Sequence, residues 1–457
     1  MASAFENHIE WQAVKDVCDR LKKAGYIALL AGGCVRDFLM KRPPNDFDIA
    51  TDATPDQVEA LFPQSIGVGK AFGVMIVPFE GFQIEIATFR EDLSYKDGRR
   101  PEGVVFSTPE ADSRRRDFTI NALFYDIELR QVIDFVQGEV DIWRRVIRTV
   151  GDPVERFGED KLRLLRAVRF AAQLEFEIAP ETYSAMQLLA SQVSVVSRER
   201  IRDEIVKLFK AEHFVVGLRL LITSGLFVAL FPELAAQVNA EASGGSGGTA
   251  KIGNGGGLAW LRRFEVLETL DEVRDVDHDL TVALALFFLP LADVLDEREL
   301  RDKHLKALKL DNRQVDSVLF VLRNRSFFLD PHSIRAGELI LLLMHPDAAA
   351  ARGLASVLAR IPAVSGDVSA GGAAGAGLIS ETAAEKYLSE LSSRVMNSEG
   401  QVKATPFLAG EDAVTVGFSP GPAMGKSLRE GWLLQLEGKL LDRDAALAWL
   451  RTQAQRE

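Results

Sequence analysis

Two aspartates, Asp46 and Asp48, occupy positions i and i+2 on either side of Phe47. On a β-strand this spacing places both carboxylates on one face and directs the phenylalanine to the other. Two carboxylates a few ångströms apart repel each other unless one is protonated or a hard cation lies between them. The pair therefore predicts a catalytic magnesium site, against the alternative of an ordinary surface pair of aspartates.

Two glycines, Gly32 and Gly33, precede the acidic pair at a predicted strand-to-helix turn. The apolar run 26–30 is typical of a buried strand, and residues 34–40 indicate the start of a helix. Glycines at such a turn allow a phosphate to approach backbone N–H groups at the positive end of the helix. Together with the acidic pair, the turn indicates a site for a nucleotide and Mg²⁺. Taken alone, it could be an ordinary Gly-Gly turn.

A third acidic side chain, Glu85, lies on the second of two predicted strands. These strands, 73–78 and 82–89, are joined by a turn at Glu80-Gly81. If the second strand is a neighbour of the strand carrying Asp48, Glu85 joins the acidic pair as a further catalytic carboxylate. Otherwise it is a solvated strand residue.

Three consecutive arginines, Arg114, Arg115 and Arg116, come just before a predicted helix and are followed by Asp117. The guanidinium groups could neutralise the phosphates of a nucleotide. The carboxylate of Asp117 could accept a hydrogen bond from a ribose hydroxyl. The alternative is a solvated basic turn.

A predicted helix over 158–176 carries a second set of charged residues. Its apolar face consists of Leu164, Leu165, Val168 and Ala172. A ridge of residues spaced three apart lies away from the centre of that face: Asp160, Arg163, Arg166 and Arg169. A surface helix with solvated arginines would show a similar pattern.

Asp160 and Arg163 have the chemistry to read the edge of a base. Adenine and cytosine both present an amino donor beside a ring-nitrogen acceptor, so a carboxylate can accept from the first while a guanidinium donates to the second. Guanine and uracil reverse both contacts, and each unpaired buried polar group costs about 1–3 kcal/mol. One Asp/Arg pair could thus select A and C without a nucleic-acid template.

The composition fits a globular protein of about three domains, with 457 residues, 47% hydrophobic and 26% charged. The net charge of −12 argues against unselective coating of nucleic acid but allows a local basic surface. Cys18 and Cys34 are far apart in sequence and suggest neither a disulfide framework nor a zinc site, so we expect a cytoplasmic protein. The N-terminal ten residues do not resemble a signal peptide. A helix is expected over 10–24, and another beginning at Thr54-Pro55 with the threonine as N-cap.

In combination, these motifs closely resemble the class II tRNA nucleotidyltransferases, that is, the CCA-adding and A-adding enzymes and their bacterial poly(A) polymerase relatives. The matching residues occur in the family's order over the first two-fifths of the chain: Gly32-Gly33-x-Val35-Arg36-Asp37, Asp46-x-Asp48, Arg115-Arg116-Asp117-Phe118-Thr119-Ile120-Asn121-Ala122, Ile147-Arg148-Thr149-Val150-Gly151-Asp152-Pro153, Glu159-Asp160-x-x-Arg163 and Leu164-Leu165-Arg166-Ala167-Val168-Arg169-Phe170. Segments 407–412 and 420–425 also resemble the family's tail, less specifically.

The resemblance implies a multidomain α+β protein with a polymerase-β-like nucleotidyltransferase head containing a mixed sheet, followed by an all-α neck, body and tail. The expected boundaries are 1–140 for the catalytic head, 141–212 for the neck, 213–345 for the body and 346–457 for the tail that binds tRNA. Two Gly-rich stretches, 243–257 in the body and 366–377 in the tail, are expected to be flexible insertions.

The resemblance also implies roles for individual residues. Asp46 and Asp48 would bind Mg²⁺. The nucleotide would be held by Gly32, Gly33, Arg36, Arg116, Asp117, Asp160, Arg163, Arg166 and Arg169. Of these, Asp160 and Arg163 would read the base. The loop 97–101 would be the flexible element used in switching from C to A addition.

The expected activity is addition of C and A, or of the terminal A alone, to the tRNA 3′ end from CTP and ATP. Membrane and DNA partners are not expected. Two alternatives stay open: a poly(A) polymerase, which shares these motifs, and a catalytically silent RNA-binding protein.

Overall fold

The computed structural model describes Phe5 and residues 8–93, 103–242, 256–269, 276–361, 381–396 and 404–456. The chain divides into two compact units, Met1–Ala235 and Ala236–Glu457. The predicted flexible loop 97–101 and the Gly/Ala-rich stretch 366–377 lie outside the described residues. So does most of the stretch 243–257, whose last two residues begin a helix.

The first unit contains a mixed seven-stranded sheet. Its strands are β1 (Ala28–Ala31), β2 (Asp48–Thr51), β3 (Ile66–Gly69), β4 (Val74–Phe79), β5 (Phe82–Thr88), β8 (Phe124–Asp126) and β9 (Gln131–Ile133), and a small separate sheet pairs β6 (Arg90–Asp92) with β7 (Val104–Phe106). The order in the large sheet is β3-β4-β5-β2-β1-β8-β9. Strand β2 runs parallel to β5, whereas the other neighbours are antiparallel. The expected mixed-sheet head is therefore confirmed.

Helices around this sheet and in the following region complete the first unit. They are α1 (Trp11–Lys23), α2 (Gly33–Leu39), α3 (Pro55–Leu61), α4 (Pro109–Arg115), α5 (Gly138–Arg144), α6 (Pro153–Glu159), α7 (Leu162–Leu174), α8 (Pro180–Leu189), α9 (Arg198–Phe209), α10 (Phe214–Thr223), α11 (Leu226–Leu230) and the start of α12 (Pro232–Ala242). One short parallel pair, β10 (Val146–Ile147) with β11 (Glu177–Ile178), interrupts the helical region. Three 3₁₀ segments also occur, at Lys70–Phe72, Thr119–Asn121 and Ala190–Val195.

The central strands are positioned by burial of their apolar residues. All four residues of β1 are buried, and its antiparallel partner β2 places Ile49 opposite Leu30. Val14, Val17 and Leu21 form the fully buried face of α1, as their helical spacing predicts. The side chain of Thr54 caps α3 by accepting from the backbone N–H of Gln57, as expected. The polar residue Asp48 at the start of β2 is therefore attached to a buried apolar part of the sheet.

In the part of the second unit that the structure describes, the elements are helices. They are the rest of α12, α13 (Gly256–Thr269), α14 (Val276–Ala292), α15 (Glu297–Glu299), α16 (Asn312–Leu329), α17 (Ala336–Leu343), α18 (Ala348–Arg360), α19 (Glu381–Val395), α20 (Gly410–Thr415), α21 (Pro422–Leu436) and α22 (Arg443–Ala454), with a π-helical segment at Leu300–Leu305. Buried side chains such as Val282, Val315 and Leu354 form its core. Among the described helices, none has both the length and the apolar character needed to cross a membrane.

Candidate active site

The predicted strand-turn-helix at the glycines is present. Strand β1 ends at Ala31, Gly32 adopts a φ of 74°, and α2 begins at Gly33. A left-handed φ favours glycine, and a Cβ at Gly32 would lie 3.0 Å from Nη1 of Arg116. The turn thus brings backbone and a guanidinium into close approach, which a larger residue would prevent.

The predicted acidic residues Asp46, Asp48 and Glu85 lie close together where the interior strand β2 begins beside β5, and this place is called the acidic edge below. Asp48 is the first residue of β2 and Glu85 stands directly opposite it in the parallel neighbour β5, so the condition set for Glu85 is met. Asp46 and Phe47 lie just before β2, so only Asp48 of the predicted pair is on the strand; Asp46 is exposed, Phe47 is buried and Asp48 is half-buried. The charge of Asp46 acts on both Asp48 and Glu85, which indicates that the three carboxylates lie close together.

The electrostatics of this edge show that its negative charges are poorly compensated. Burial, followed by the charges of Glu85 and Asp46, raises the pKa of Asp48 to about 7, and Arg116 only partly opposes this. Burial and the charge of Asp46 also raise the pKa of Glu85. Within the described residues no group of three or more His, Cys, Asp or Glu side chains is arranged as a metal cage. Carboxylate oxygens that repel one another nevertheless suit Mg²⁺, which proteins usually hold through one or two carboxylates completed by substrate phosphates.

Arg116 is fixed by a buried carboxylate. Its Nε and Nη2 donate to Oδ2 of Asp112 at 3.1 and 3.0 Å, and its Nη1 donates to the carbonyl of Asn121 at 3.1 Å. Arg115 binds the other oxygen of Asp112, with Nη2 at 2.6 Å. Burial would raise the pKa of Asp112, but the charges and hydrogen bonds of the two arginines outweigh it and lower that pKa. This is an ordered ion-pair network at Arg115 and Arg116 rather than a solvated basic turn. Arg114, in contrast, is exposed and pairs with Glu110.

A chain of hydrogen bonds joins α2, which follows the glycine turn, to helix α7. Arg36 donates through Nη1 to Oδ1 of Asn121 at 2.7 Å, and Asn121 donates to Oδ1 of Asp117 at 3.4 Å. The other oxygen of Asp117 accepts from Nε of Arg166 at 2.7 Å. Asp117 is buried, yet its pKa is lowered, because the charges of Arg166 and Arg163 outweigh desolvation. The predicted nucleotide residues Arg36, Asp117 and Arg166 thus belong to one connected network.

The base-reading residues require a correction. The sequence predicted one helix over 158–176, but α6 ends at Glu159 and α7 begins at Leu162. Asp160 lies between them with an extended backbone, so it is not on one helical ridge with Arg163. The physical reason is local, because the Asp160 carboxylate accepts from the backbone N–H of Leu162 at 3.0 Å and so favours a helix start over a helix interior.

Asp160 and Arg163 also have partners that the sequence did not reveal. Asp160 forms a bidentate pair with Arg200 of α9, at 3.2 and 2.6 Å. Arg163 is buried and donates to the Glu159 carboxylate and to the carbonyls of Arg156 and Arg115. Each side chain is oriented by other groups, and the two do not pair with each other.

Arg169 completes the group and is likewise buried. It donates to Oε2 of Glu204 at 2.6 Å and to Oε1 of Gln173 at 2.8 Å. The alternative of a helix with solvated arginines is therefore wrong for Arg163 and Arg169, which are 9% and 8% exposed. The buried face of α9 carried a signal for this pairing, because Glu204 stands at a helical position among Ile201, Ile205 and Leu208. A carboxylate on an apolar face indicates a buried cationic partner.

Comparisons with known proteins find similarity to two parts of this chain. The family model described as the Poly A polymerase head domain matches residues 28–148, and the model described as the probable RNA and SrmB-binding site of polymerase A matches residues 175–238. The CCA-adding enzyme of Bacillus licheniformis is 47% identical over 211 residues, which is 46% of this chain and 53% of that protein. The CCA-adding enzyme of Geobacillus kaustophilus is 46% identical over 220 residues, 48% of this chain and 54% of that one. The chain thus spans about half the length of the curated relatives it matches.

Solved structures extend the similarity to nearly the whole fold. The Bacillus stearothermophilus CCA-adding enzyme in complex with CTP has a TM-score of 0.73 and 28% identity, and the match covers 98% of both chains. The Thermotoga maritima CCA-adding enzyme complexed with tRNA shares the fold, with a TM-score of 0.63 and 18% identity over 99% of this chain and 98% of that one. The predicted resemblance to the tRNA nucleotidyltransferases and bacterial poly(A) polymerases is confirmed. This nucleotidyltransferase family generally uses a divalent metal ion.

Proposed function

We propose that this chain is a template-independent tRNA nucleotidyltransferase that adds C and A to the tRNA 3′ end from CTP and ATP. The observation that carries the proposal is that carboxylates able to bind a metal ion and arginines able to bind a nucleotide are connected within one compact unit. The acidic edge at Asp48 contacts Arg116 electrostatically, and the hydrogen-bond chain through Asn121 continues from there to α7. The relatives of known name and the similar CTP-bound structure support the same activity.

Asp46 and Asp48 would hold Mg²⁺, with Glu85 adding negative charge at the same edge. The ion, when bound, would lower the pKa of the primer 3′-hydroxyl and stabilise charge on the transferred phosphoryl group. The 3′-hydroxyl would lose its proton to water and its oxygen would bond to the α-phosphorus, while the bond from that phosphorus to the bridging oxygen breaks and pyrophosphate leaves. Arg36 and Arg116, close to the Gly32-Gly33 turn, would hold the triphosphate.

Asp160 and Arg163 would read the base while keeping their present partners. A carboxylate offers about four acceptor positions, and Oδ2 of Asp160 accepts one hydrogen bond, from Arg200, so it can accept another from a base amino group. A guanidinium has five N–H donors, and the described contacts of Arg163 use two on Nη1 and one on Nη2. Its remaining donors would serve the ring nitrogen of cytosine or adenine.

The predicted organisation into head, neck, body and tail is part of the proposal. Residues 1–140 would carry catalysis and 141–212 base selection, while 213–345 and 346–457 would bind the tRNA. A cytoplasmic location is proposed from the two free, buried cysteines, Cys18 and Cys34, which suit a reducing compartment.

Poly(A) polymerase activity is the second candidate, because the head and RNA-binding models are both named for that enzyme. Purified protein should be given three RNAs: a tRNA lacking CCA, a tRNA ending in CC, and an unrelated RNA. Labelled CTP and ATP are supplied separately and together.

The products separate the candidates. Incorporation of CTP into the first tRNA, followed by a single A, supports CCA addition. A single A added only after CC indicates an A-adding enzyme, and long A-tails on unrelated RNA indicate a poly(A) polymerase. Absence of incorporation with every RNA would leave a catalytically silent RNA-binding protein.

A further inference from the structure

Three of the predicted nucleotide-binding arginines surround one aromatic ring, that of Phe170. The guanidinium carbons of Arg36, Arg166 and Arg169 lie 5.5, 5.2 and 4.0 Å from its centroid. These distances are within the range of attraction between a cation and the face of a ring, about 6 Å. Arg36 comes from α2 in the head, whereas the other two come from α7, so the ring is the common contact of side chains from two elements.

The ring itself is firmly held. Phe170 is 6% exposed, and its ring meets the fully buried ring of Phe118 edge to face, with centroids 5.8 Å apart and planes at 80°. Phe118 follows directly after Asp117, the carboxylate that binds Arg166. The ring and the carboxylate are thus supported by neighbouring residues.

Carboxylates and the ring constrain each guanidinium in complementary ways. A carboxylate binds the edge of a planar guanidinium, through its N–H groups, and an aromatic ring covers its face. Each of the three arginines has such a carboxylate: Asp37 for Arg36 at 2.7 Å, Asp117 for Arg166 at 2.7 Å, and Glu204 for Arg169 at 2.6 Å. The attraction of the ring adds to the hydrogen bonds of each guanidinium and so further limits where it can lie.

We propose that Phe170 is a positioning residue that pre-orients Arg36, Arg166 and Arg169 for the triphosphate and the primer end. It touches no reacting atom and acts through the three guanidiniums. The inference rests on the proposed function and adds to it an uncharged residue. Replacing that residue should weaken nucleotide binding. Pre-orientation reduces the ordering that binding would otherwise require.

The chain offers a matched control in Phe176. This residue is 4% exposed and has one guanidinium, that of Arg145, at 5.8 Å from its ring centroid. Arg145, just before β10, pairs with Glu175, just before β11, and is not among the predicted nucleotide-binding residues. Phe176→Leu therefore removes the same volume and the same kind of contact outside the arginine cluster.

The experiment compares Phe170→Leu, Phe170→Tyr and Phe176→Leu with the wild type. It measures kcat and KM for CTP and ATP at saturating tRNA, the Kd for CTP by calorimetry, and the thermal midpoint. The Phe170→Leu variant is expected to raise KM and Kd for the nucleotides about tenfold while kcat changes less than about twofold. Phe170→Tyr, which keeps the ring, should restore KM to within about twofold of the wild type.

Each outcome decides between the proposals. Equal nucleotide KM and Kd in Phe170→Leu and Phe176→Leu, at similar loss of thermal midpoint, would overturn the role of Phe170. If Phe170→Tyr does not fold, that comparison of the two leucine variants decides alone. If the wild-type protein binds CTP but extends no RNA, the proposed function is wrong. The Kd values of the variants would still show whether Phe170 supports nucleotide binding. Wild-type protein that neither binds nor incorporates nucleotide would overturn both.

Discussion

The acidic edge at the start of β2 and the arginine network both contain buried or half-buried charges, but the charges are balanced in opposite ways. The arginine network consists of four carboxylates and the arginines that bind them: Asp112, Asp117, Asp160 and Glu204. At the edge, burial and neighbouring carboxylates raise the pKa of Asp48 to about 7. In the network, Arg166 holds the pKa of the buried Asp117 below its usual value. At the edge, Arg116 compensates the negative charge only in part, which is the condition of a site that takes a cation. In the network, each buried carboxylate is paired with an arginine of the same chain, and such fixed charges are suited to orienting a ligand.

The comparison predicts that removing a charge should affect activity and stability differently in the two regions. The largest expected effect comes from Asp48→Asn. Loss of a metal-binding carboxylate should lower kcat by about 10³-fold or more, because metal ions contribute several kcal/mol of transition-state stabilisation. Nucleotide incorporation checks this, with Asp56→Asn as the control, since Asp56 is 85% exposed and outside the acidic edge.

The same variant should be more stable than the wild type at neutral pH without metal. The folded state raises the pKa of Asp48 from 3.8 to about 7, so the ionised carboxylate opposes folding increasingly from about pH 4 to pH 7 and the penalty is then complete. Asp48→Asn removes this penalty and should raise Tm at pH 8 by about 2–4 °C, with less gain at pH 5. A lower Tm at pH 8 would show that the edge is compensated like the arginine network.

The opposite response is expected at Asp112, which is 2% exposed and binds both Arg115 and Arg116. Asp112→Ala leaves two arginines without their buried partner and should lower the free energy of unfolding by about 3–5 kcal/mol. Urea unfolding measures this. The control Glu110→Ala breaks an exposed pair with Arg114 and should cost less than about 1 kcal/mol.

Acid should remove the contribution of Asp112 in the wild type. Its folded pKa lies below the ordinary 3.8, so its stabilisation is complete above about pH 4 and is lost as the pH falls through the lower folded value. Asp112→Ala should therefore lose less stability than the wild type between pH 5 and pH 2. Parallel pH profiles would contradict the ion-pair assignment.

Arg163→Ala tests whether the network reads the base. We expect preference for CTP over UTP and for ATP over GTP to fall about 10- to 100-fold, because each unpaired polar contact is worth about 1–3 kcal/mol. Arg156→Ala is the matched control, since Arg156 shares with Arg163 both the Glu159 carboxylate and the Arg115 carbonyl. Unchanged selectivity in Arg163→Ala, or an equal loss in the control, would assign Arg163 a structural role alone.

The acidic edge could be predicted from the sequence far better than the network. Alternation around Phe47 and the hairpin at Glu80-Gly81 are local patterns, and they led directly to Asp48 and Glu85 on polar sides of strands that proved to be neighbours. The strand period fixes the side on which Asp48 and Glu85 each lie, whereas the pairing of β2 with β5 was left open by the sequence and is supplied by the structure.

The network could not be predicted in the same way, because its partners come from distant parts of the chain. Asp117 meets Arg166 across 49 residues, and Asp160 meets Arg200 across 40. The break between α6 and α7 also depends on a balance between helix continuation and the hydrogen bond that the Asp160 carboxylate accepts from the backbone N–H of Leu162. Helical periodicity alone favoured continuation, so the predicted ridge included one residue that is not on the helix.

The smallest expected effect concerns Arg200, and it sharpens the description of the network as an orienting device. If Arg200 stays bound while Asp160 accepts a hydrogen bond from the base, Arg200→Ala should raise KM for both CTP and ATP by about three- to tenfold. A hydrogen bond to a charged group contributes about 1.5–3 kcal/mol, and water replaces part of that contribution at this half-buried site. Selectivity between bases should hold, since the carboxylate itself remains.

The alternative is that the base displaces Arg200 from Asp160, and this predicts the opposite sign. Removing a competitor would then lower KM for both nucleotides. Arg202→Ala on the same helix, where the arginine pairs with Asp203, controls for general effects on α9. Steady-state measurements of KM for CTP and ATP on the wild type and the two variants separate the two cases. If Arg200 keeps its bond to Asp160, KM rises in Arg200→Ala, and if the base replaces Arg200, KM falls.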